Sequence, residues 1–388
     1  MLIIELEDFP DDIYILLEDN FRINFFQTAI KIIGSYKKLA NILKVSISTV
    51  LSWKRAKDGE GNTHFCSVKN VKTISKILVN NNYKYFCLSE VQKYIKAYKD
   101  AHGKLWICKP NLPIKDSIEM REIITHLICD GSAPLTPRRT SKYASTCKKS
   151  AEEFLNELGV FGKILRNGKN KIYIQTESKL TKGFRNKYVV PFPKALTKIL
   201  TKNLNISFDT FNSRLPKFFF YGNKKLLVSV VRAFLIDEGH IKDTRSYFTS
   251  SNRRLLEDLN KICRTLNYKR GKIAKYREIF KLSISAHSIK RFYYDILSIK
   301  KLPIEEKQKR LELAIKLSCR KRKKFVNLDK TIVYCLTEKP MTLVELSSKL
   351  GIRSRAIWFY TKKLEAEGKI KVIDKMVGKG GANIWSIV

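Results

Sequence analysis

Two apolar segments of this 388-residue chain each end in an acidic residue followed by glycine, and this repetition constrains the fold most strongly. The first segment runs from Ile123 to Gly131 and the second from Val231 to Gly239. Their acids, Asp130 and Glu238, lie 108 positions apart. Asp-Gly alone is common in turns, but here each step follows an apolar helix pattern and precedes strand-like residues. The pair therefore predicts an internal duplication of helix, strands, helix, strands.

The boundaries of the predicted elements follow from capping residues and residue periodicity. The pattern predicts motif helices over 118–129 and 224–237, the second capped by Asn223. In the first copy the second strand pair is predicted at 162–166 and 171–176.

Small residues at matching positions indicate how the two motif helices meet. Thr125 and Ala233 would let the helices pack closely, and Asp130 and Glu238 would then emerge side by side at the helix ends. Two carboxylates near the negative ends of two helices repel each other. A divalent cation would offset this repulsion, and hard carboxylate oxygens suit Mg²⁺.

On these motifs the chain resembles the LAGLIDADG homing endonuclease family, in its single-chain, two-motif form, over roughly residues 109–318. The resemblance implies an α+β fold: a duplicated αββαββα unit whose two sheets form a saddle on DNA. It also implies that Asp130 and Glu238 are catalytic residues that hold Mg²⁺ or another divalent cation. Lys307 is then the basic catalytic residue of the second repeat, and Lys224 or Lys225 is a looser choice for the first. Asp237 departs from the family pattern, because it adds an acid where a small residue is common.

The segment before the duplication predicts a helix-turn-helix module like those that accompany archaeal members of the family. Helices are expected over 36–43 and 48–55, with a Ser48 cap on the second helix and a small shared core. Four residues of the second helix would face outward and contact DNA: Ser48, Thr49, Lys54 and Arg55. The alternative is an ordinary helical hairpin.

The end of the chain predicts a second DNA-binding module. A first helix is expected over 328–336, and Thr342 and Glu345 form a capping box that opens a second helix ending at Leu350. An amphipathic third helix follows over 354–367, and two strands follow around residues 369–373 and 383–387. Three helices and a two-stranded wing make a winged helix, in which Arg353 and Arg355 would contact DNA. Some winged helices bind only protein, and that alternative remains open.

These patterns divide the chain into six parts. They are a helix-turn-helix module over 21–80, a connector over 81–117, LAGLIDADG repeats over 118–222 and 223–318, a basic linker over 319–327, and a winged helix over 328–388. Basic residues on the predicted strands would line the saddle: Arg138, Arg139, Lys142, Lys242 and Arg245.

The charge of the chain indicates the partner. Lys and Arg number 76 against 36 Asp and Glu, a formal charge of +40, which favours a polyanion such as double-stranded DNA. The first twenty residues carry seven acids and no base, and no run of 18 apolar residues occurs. We therefore expect a cytoplasmic, nucleoid-associated monomer with internal pseudo-two-fold symmetry and no membrane partner.

The resulting functional hypothesis is a site-specific double-stranded DNA endonuclease that cleaves across the minor groove with a divalent metal. One alternative is a non-cleaving DNA-binding transcriptional regulator on the same scaffold. The other is an intron RNA maturase, which would take structured RNA as its partner.

Overall fold

The computed structural model describes residues 2–55, 64–133, 141–177, 187–208, 211–319, 327–352, 354–375 and 383–388. These residues form two compact units, one ending at Asp237 and the other beginning at Glu238. Both mix helix and sheet, as the α+β class predicts. No helix within the described residues has the length and apolar character needed to cross a membrane.

The first unit begins with a mixed region of helices and strands. Its elements are β1 (Ile3–Ile4), β2 (Ile13–Leu17), α1 (Asp19–Ile33), α2 (Tyr36–Leu43), α3 (Ile47–Arg55), β3 (Cys66–Ser67), α4 (Val68–Asn80), α5 (Leu88–Val91), β4 (Ile95–Asp100), β5 (Leu105–Cys108) and β6 (Ile114–Lys115). Helices α2 and α3 fall where the sequence predicted them. The cap of α3 is Ser46, whose hydroxyl accepts from Thr49 N at 3.1 Å, and not Ser48. The predicted connector, 81–117, contributes three strands.

The first repeat follows. Its elements are α6 (Ile118–Cys129), β7 (Gly131–Ser132), β8 (Ser141–Ser145), α7 (Lys148–Glu157), β9 (Lys163–Arg166), β10 (Asn170–Lys171), β11 (Gln175–Glu177), β12 (Lys187–Phe192) and α8 (Lys194–Leu204). Four of the strands form an antiparallel sheet in the order β7-β8-β12-β11, whose inner face buries Tyr143, Val190 and Phe192.

The prediction of the second strand pair of this repeat was wrong. Strands β9 and β10 belong to a six-stranded sheet of order β10-β9-β5-β4-β2-β3, and β9 pairs with β5. Ile164 lies opposite Ile107, and both are buried there. The pair that completes the repeat is β11 and β12. Strand periodicity identifies a strand but not its partner, and an apolar strand pairs where its side chains are covered.

The second repeat has the same element order. Its elements are α9 (Lys224–Asp237), β13 (Gly239–Lys242), β14 (Arg245–Ser250), α10 (Arg253–Thr265), β15 (Ala274–Tyr276), β16 (Ile279–Ile284) and α11 (Ile289–Leu297), and α12 (Glu305–Cys319) follows. The sheet order β13-β14-β16-β15 matches that of the first repeat strand for strand. The predicted duplication is therefore present in the topology.

The last elements belong to the second unit. They are α13 (Leu328–Glu338), β17 (Met341–Thr342), α14 (Leu343–Leu350), α15 (Ser354–Ala366), β18 (Ile370–Lys375) and β19 (Asn383–Ile387), with sheet order β17-β19-β18. The capping box is formed: Glu345 Oε2 accepts from Thr342 N at 2.7 Å, and Glu345 N donates to Thr342 Oγ1 at 3.2 Å. Ile332, Leu346 and Trp385 share one core. Most of the predicted basic linker, 320–326, lies outside the described residues.

Candidate functional site

The two motif helices, α6 and α9, pack against each other within the first unit. Each begins at a capped position: Ser117 Oγ accepts from Met120 N at 3.1 Å, and Asn223 Oδ1 accepts from Leu226 N at 3.0 Å. Thr125 and Ala233 are both fully buried, as expected for small residues where two helices meet closely. The Thr125 hydroxyl donates to Arg121 O at 2.8 Å, so its burial leaves no unsatisfied polar group.

A buried polar contact joins the C-terminal ends of these helices. His126 Nδ1 on α6 lies 2.7 Å from Asp237 Oδ2 on α9, and the Tyr143 hydroxyl donates to Asp237 Oδ1 at 2.8 Å. Burial lowers the pKa of His126, but the charge and hydrogen bond of Asp237 raise it by more, so its pKa lies above the ordinary value. The extra acid of the second motif is thus engaged inside the helix pair, one residue before Glu238.

A second buried cluster lies in the same helix pair, and sequence reasoning missed it. Arg232 on α9 donates to Glu122 on α6 at 2.9 Å and to Glu153 on α7 at 2.5 Å. Burial, then the Glu122 charge, raises the pKa of Glu157 to about 10, so this acid is protonated at neutral pH. The available signal was an arginine inside an otherwise apolar helix, which must find an acid when buried.

This cluster does not fit a metal ion, although its three carboxylates, from Glu122, Glu153 and Glu157, lie within 4.8 Å of one another. The guanidinium of Arg232 already supplies the positive charge between the first two. The third is neutral at physiological pH, because its pKa is raised to about 10. The arrangement is a buried ion-pair network that connects α6, α7 and α9.

The two proposed catalytic acids lie at the ends of the motif helices. Asp130 caps the C-terminus of α6, its backbone N donates to His126 O at 2.9 Å, and its side chain is exposed. Glu238 directly follows α9, is half-buried, and accepts from Thr249 N at 3.1 Å through its carbonyl. A helix C-terminus carries partial negative charge, which favours a cation there. Carboxylate oxygens are the donors that Mg²⁺ prefers.

The predicted basic residues differ in where they lie relative to the ends of the motif helices. Lys307 lies in the first turn of α12, and the pKa of His240 falls to about 4 through burial and then the charges of Lys281, Lys307, Arg310 and Lys242. Lys307 is therefore close to His240, two positions from Glu238. Lys224 and Lys225 occupy the first turn of α9, about 20 Å along the helix from Asp237 at ~1.5 Å per residue. They therefore lie at the opposite end of α9 from Asp237 and Glu238.

The open face of the second sheet carries the predicted strand residues Lys242 and Arg245. They are direct cross-strand partners, and His240 pairs with Tyr247 on the same face. Lys281 on β16 adds a third cation there, since it lies opposite Thr249. The other face buries Ile241, Phe248, Leu282 and Ile284. Alternation along each strand thus separates an apolar core from a basic surface.

The open face of the first sheet carries one predicted contact among the described residues. Lys142 is half-exposed and lies opposite Pro191 on β12. Arg138 and Arg139 lie outside the described residues, as does Arg353 near the end of the chain. Arg355 is exposed on α15.

The N-terminal candidates lie on α3 or at its start. Ser48 and Arg55 are exposed and Thr49 is half-buried, whereas the Lys54 ammonium donates to the Tyr36 hydroxyl at 3.1 Å. Lys54 also accepts from Arg22 Nε at 3.1 Å through its carbonyl. The Ser48 and Thr49 hydroxyls each share a hydrogen bond with Ser46 Oγ, at 2.8 and 2.7 Å, and Lys54 holds α2 to α3.

Comparison with known proteins gives the following. No model of a protein family matches the chain, and no curated protein matches it. Among solved structures it is similar to the homing endonuclease I-DmoI in complex with DNA and Mn, at 16% identity and TM-score 0.34, covering 47% of this chain and 98% of that one. It is also similar to DNA-bound I-WcaI, at 10% identity and TM-score 0.37, covering 51% and 87%. The N-terminal LAGLIDADG domain of DUF199/WhiA is similar at 16% identity and TM-score 0.30, covering 49% and 84%.

Proposed function

We propose that this chain is a site-specific, divalent-metal-dependent endonuclease that cleaves double-stranded DNA. The observation that carries the proposal is the end of each motif helix. In both repeats an acidic residue that is not fully buried stands between the motif helix and the first strand of a four-stranded sheet of the same topology. This is where the LAGLIDADG resemblance assigns its catalytic acids.

The proposed roles follow from the chemistry of each group. Asp130 and Glu238 hold divalent cations, Mg²⁺ in the cell, each serving one strand of the duplex. A bound divalent cation supplies Lewis-acid stabilisation of phosphate oxygens and activates water for attack. Lys307 contributes fixed positive charge, which stabilises the negative charge that develops on the scissile phosphate.

The basic open faces supply duplex binding in this proposal. Lys142, Lys242 and Arg245 neutralise phosphates and release counterions, which favours binding without reading sequence. The N-terminal residues Ser48, Thr49 and Arg55 form part of a helix-turn-helix contact. Arg355 belongs to a winged-helix module that extends the bound site. The net charge of +40 supports a long polyanionic partner.

Cleavage of a plasmid library with random inserts tests the proposal. The purified full chain is expected to produce recurrent double-strand cuts with Mg²⁺, and none with EDTA. Asp130→Asn with Glu238→Gln should abolish the cuts and retain duplex binding. The matched control is Glu119→Gln with Glu278→Gln, which removes the same charge from exposed acids outside the site. Cuts that survive in the site variant would refute the assignment.

A DNA-binding regulator is the second candidate, and the elements outside the duplication favour it. The region from Leu328 onward has a core of its own, and α3 packs on α1, where the Trp53 and Phe26 ring centroids lie 6.3 Å apart. A chain that recurrently selects one duplex sequence and never cuts it, with any divalent cation, would be a regulator. Binding would then be indifferent to Asp130→Asn and Glu238→Gln.

A further inference from the structure

The second unit contains a cleft that does not include the proposed catalytic acids, although two of its residues, Lys242 and Arg355, also belong to the proposed duplex-binding surface. It has a volume of about 830 Å³ and lies between the β13–β14 hairpin, α12 and the helices α14 and α15. Strand β16 also contributes to its wall through Lys281, so the lining residues come from segments that are far apart in sequence. Four cations line it: Lys242, Lys281, Arg310 and Arg355.

The charge of the cleft indicates an anionic ligand. The one acid in its wall, Asp243, is engaged, because its Oδ1 accepts from Ser354 N at 3.3 Å. Burial and then the charge of Lys242 lower the pKa of Lys281, which shows that the ammonium groups repel one another. Phosphate groups would relieve this repulsion, since each carries negative charge and several acceptor oxygens.

An exposed tryptophan gives the cleft a second chemical feature. Trp358 lines the cleft and is 48% exposed, and its indole has no aromatic or cationic partner within the described part of the chain. The other ring of the wall, Tyr247, is already covered: His240 stacks on it at 5.0 Å and the Lys281 ammonium lies 3.9 Å from its centroid. Trp358 is therefore the ring available for stacking.

These features distinguish between paired and unpaired nucleic acid. A duplex keeps its bases stacked inside the helix and offers only groove edges and phosphates. An unpaired strand offers base faces that stack on aromatic side chains, next to phosphates that bind cations. The volume lies in the range of pockets that enclose a ligand of a few nucleotides or less.

We propose that this cleft binds an unpaired oligonucleotide segment, with one base stacked on Trp358 and its phosphates held by Lys242, Lys281, Arg310 and Arg355. This activity goes beyond the proposed cleavage of duplex DNA, and it does not require Asp130 or Glu238. The strand is DNA or RNA, which share the phosphates and base faces that the cleft recognises.

Titration of the full-length protein with short homopolymers tests the proposal. Labelled dT₁₂ and rU₁₂ are followed by fluorescence anisotropy and by tryptophan fluorescence at about 0.2 M salt. We expect binding with quenching of the tryptophan signal, because Trp358 stacks on a base. Trp358→Ala should weaken binding about 5- to 150-fold. Trp358→Phe should restore most of the affinity without the quench. A preference for dT₁₂ or rU₁₂ identifies which strand the cleft takes.

Matched variants on the same helix provide the controls. Phe359 is 68% exposed on α15 but does not line the cleft, so Phe359→Ala should bind like the wild type. Arg355→Gln should weaken binding and reduce the salt dependence, whereas Lys363→Gln, also on α15, should not. Equal losses in Trp358→Ala and Phe359→Ala would overturn the proposal. So would an equal quench by a 12-base-pair duplex.

The outcome is separable from that of the nuclease proposal. Asp130→Asn with Glu238→Gln should leave the quench and the affinity for dT₁₂ unchanged. If cleavage is never detected while the quench persists, the nuclease proposal fails and the cleft assignment stands. If cleavage occurs and no quench is seen, the reverse holds.

Discussion

Charged residues are concentrated both in the contact between α6 and α9 and on the open face of the second sheet. They are paired with opposite charges in the helix contact and share one sign on the sheet. In the helix pair, Arg232 meets Glu122 and Glu153, and His126 meets Asp237, so buried charges are matched. On the sheet, Lys242, Arg245 and Lys281 share one face. Buried charge that is matched serves the fold. Surface charge of one sign costs some stability and serves a ligand of the opposite sign.

Removal of Arg232 is expected to change the unfolding free energy most. Arg232→Met leaves Glu122 and Glu153 buried without their partner, which we expect to cost about 3–5 kcal/mol of unfolding free energy. Chemical denaturation measures the loss. Adding Glu122→Gln and Glu153→Gln to the same variant should recover much of it, because no uncompensated charge then remains. An Arg232→Met protein as stable as the wild type would show that the cluster is not a matched network.

The pH dependence of the same cluster gives the second test. The pKa of Glu157 is raised by burial from its ordinary value to about 10 in the folded chain. Its contribution to stability is therefore complete below about pH 4.5 and falls as the pH rises toward 10, because the unfolded chain releases the proton first. Glu157→Gln should match the wild type near pH 4.5 and exceed it by more than about 1 kcal/mol at pH 8. A constant difference across this range would contradict the assignment.

The smallest stability effect is expected on the sheet. Lys242→Gln should change the unfolding free energy by less than about 0.5 kcal/mol. Its effect should appear in duplex binding. The slope of the logarithm of the binding constant against the logarithm of the salt concentration should become shallower by about 0.9, for one lost phosphate contact. Lys290→Gln, an exposed lysine on α11, is the matched control. A large stability loss in Lys242→Gln would mean that this face is structural and would remove the contrast.

The sequence predicted those parts of the fold that depend on neighbouring residues. Helix starts at Asn223 and Thr342 were recognisable because a cap and the amides that it binds lie within three positions. The duplication was recognisable because both copies keep an acid before glycine. The partner of β9 was not, because strand pairing joins residues more than 50 positions apart.

The candidate site divides in the same way. Asp130, Glu238 and Lys307 could be named from motif positions alone, and their catalytic roles stay predictions. Asp130 is exposed at the end of α6, whereas the Asp237 side chain is buried at the end of α9. This difference depends on long-range contacts that no local pattern contains. Asp237 could be noticed as an unusual acid, but its partner, His126, is 111 positions away. Arg232 and its acids went unnoticed for the same reason.

Mapping both cleaved strands of a library target at nucleotide resolution tests the central claim most directly. If Asp130 and Glu238 each serve one strand, every product should carry two cuts at one recurrent site, separated by a fixed short stagger across the minor groove. Asp130→Asn with Glu238→Gln should yield neither cut while the duplex stays bound. Cuts confined to one strand, cuts at variable spacing, or a double variant that still cleaves would contradict the claim.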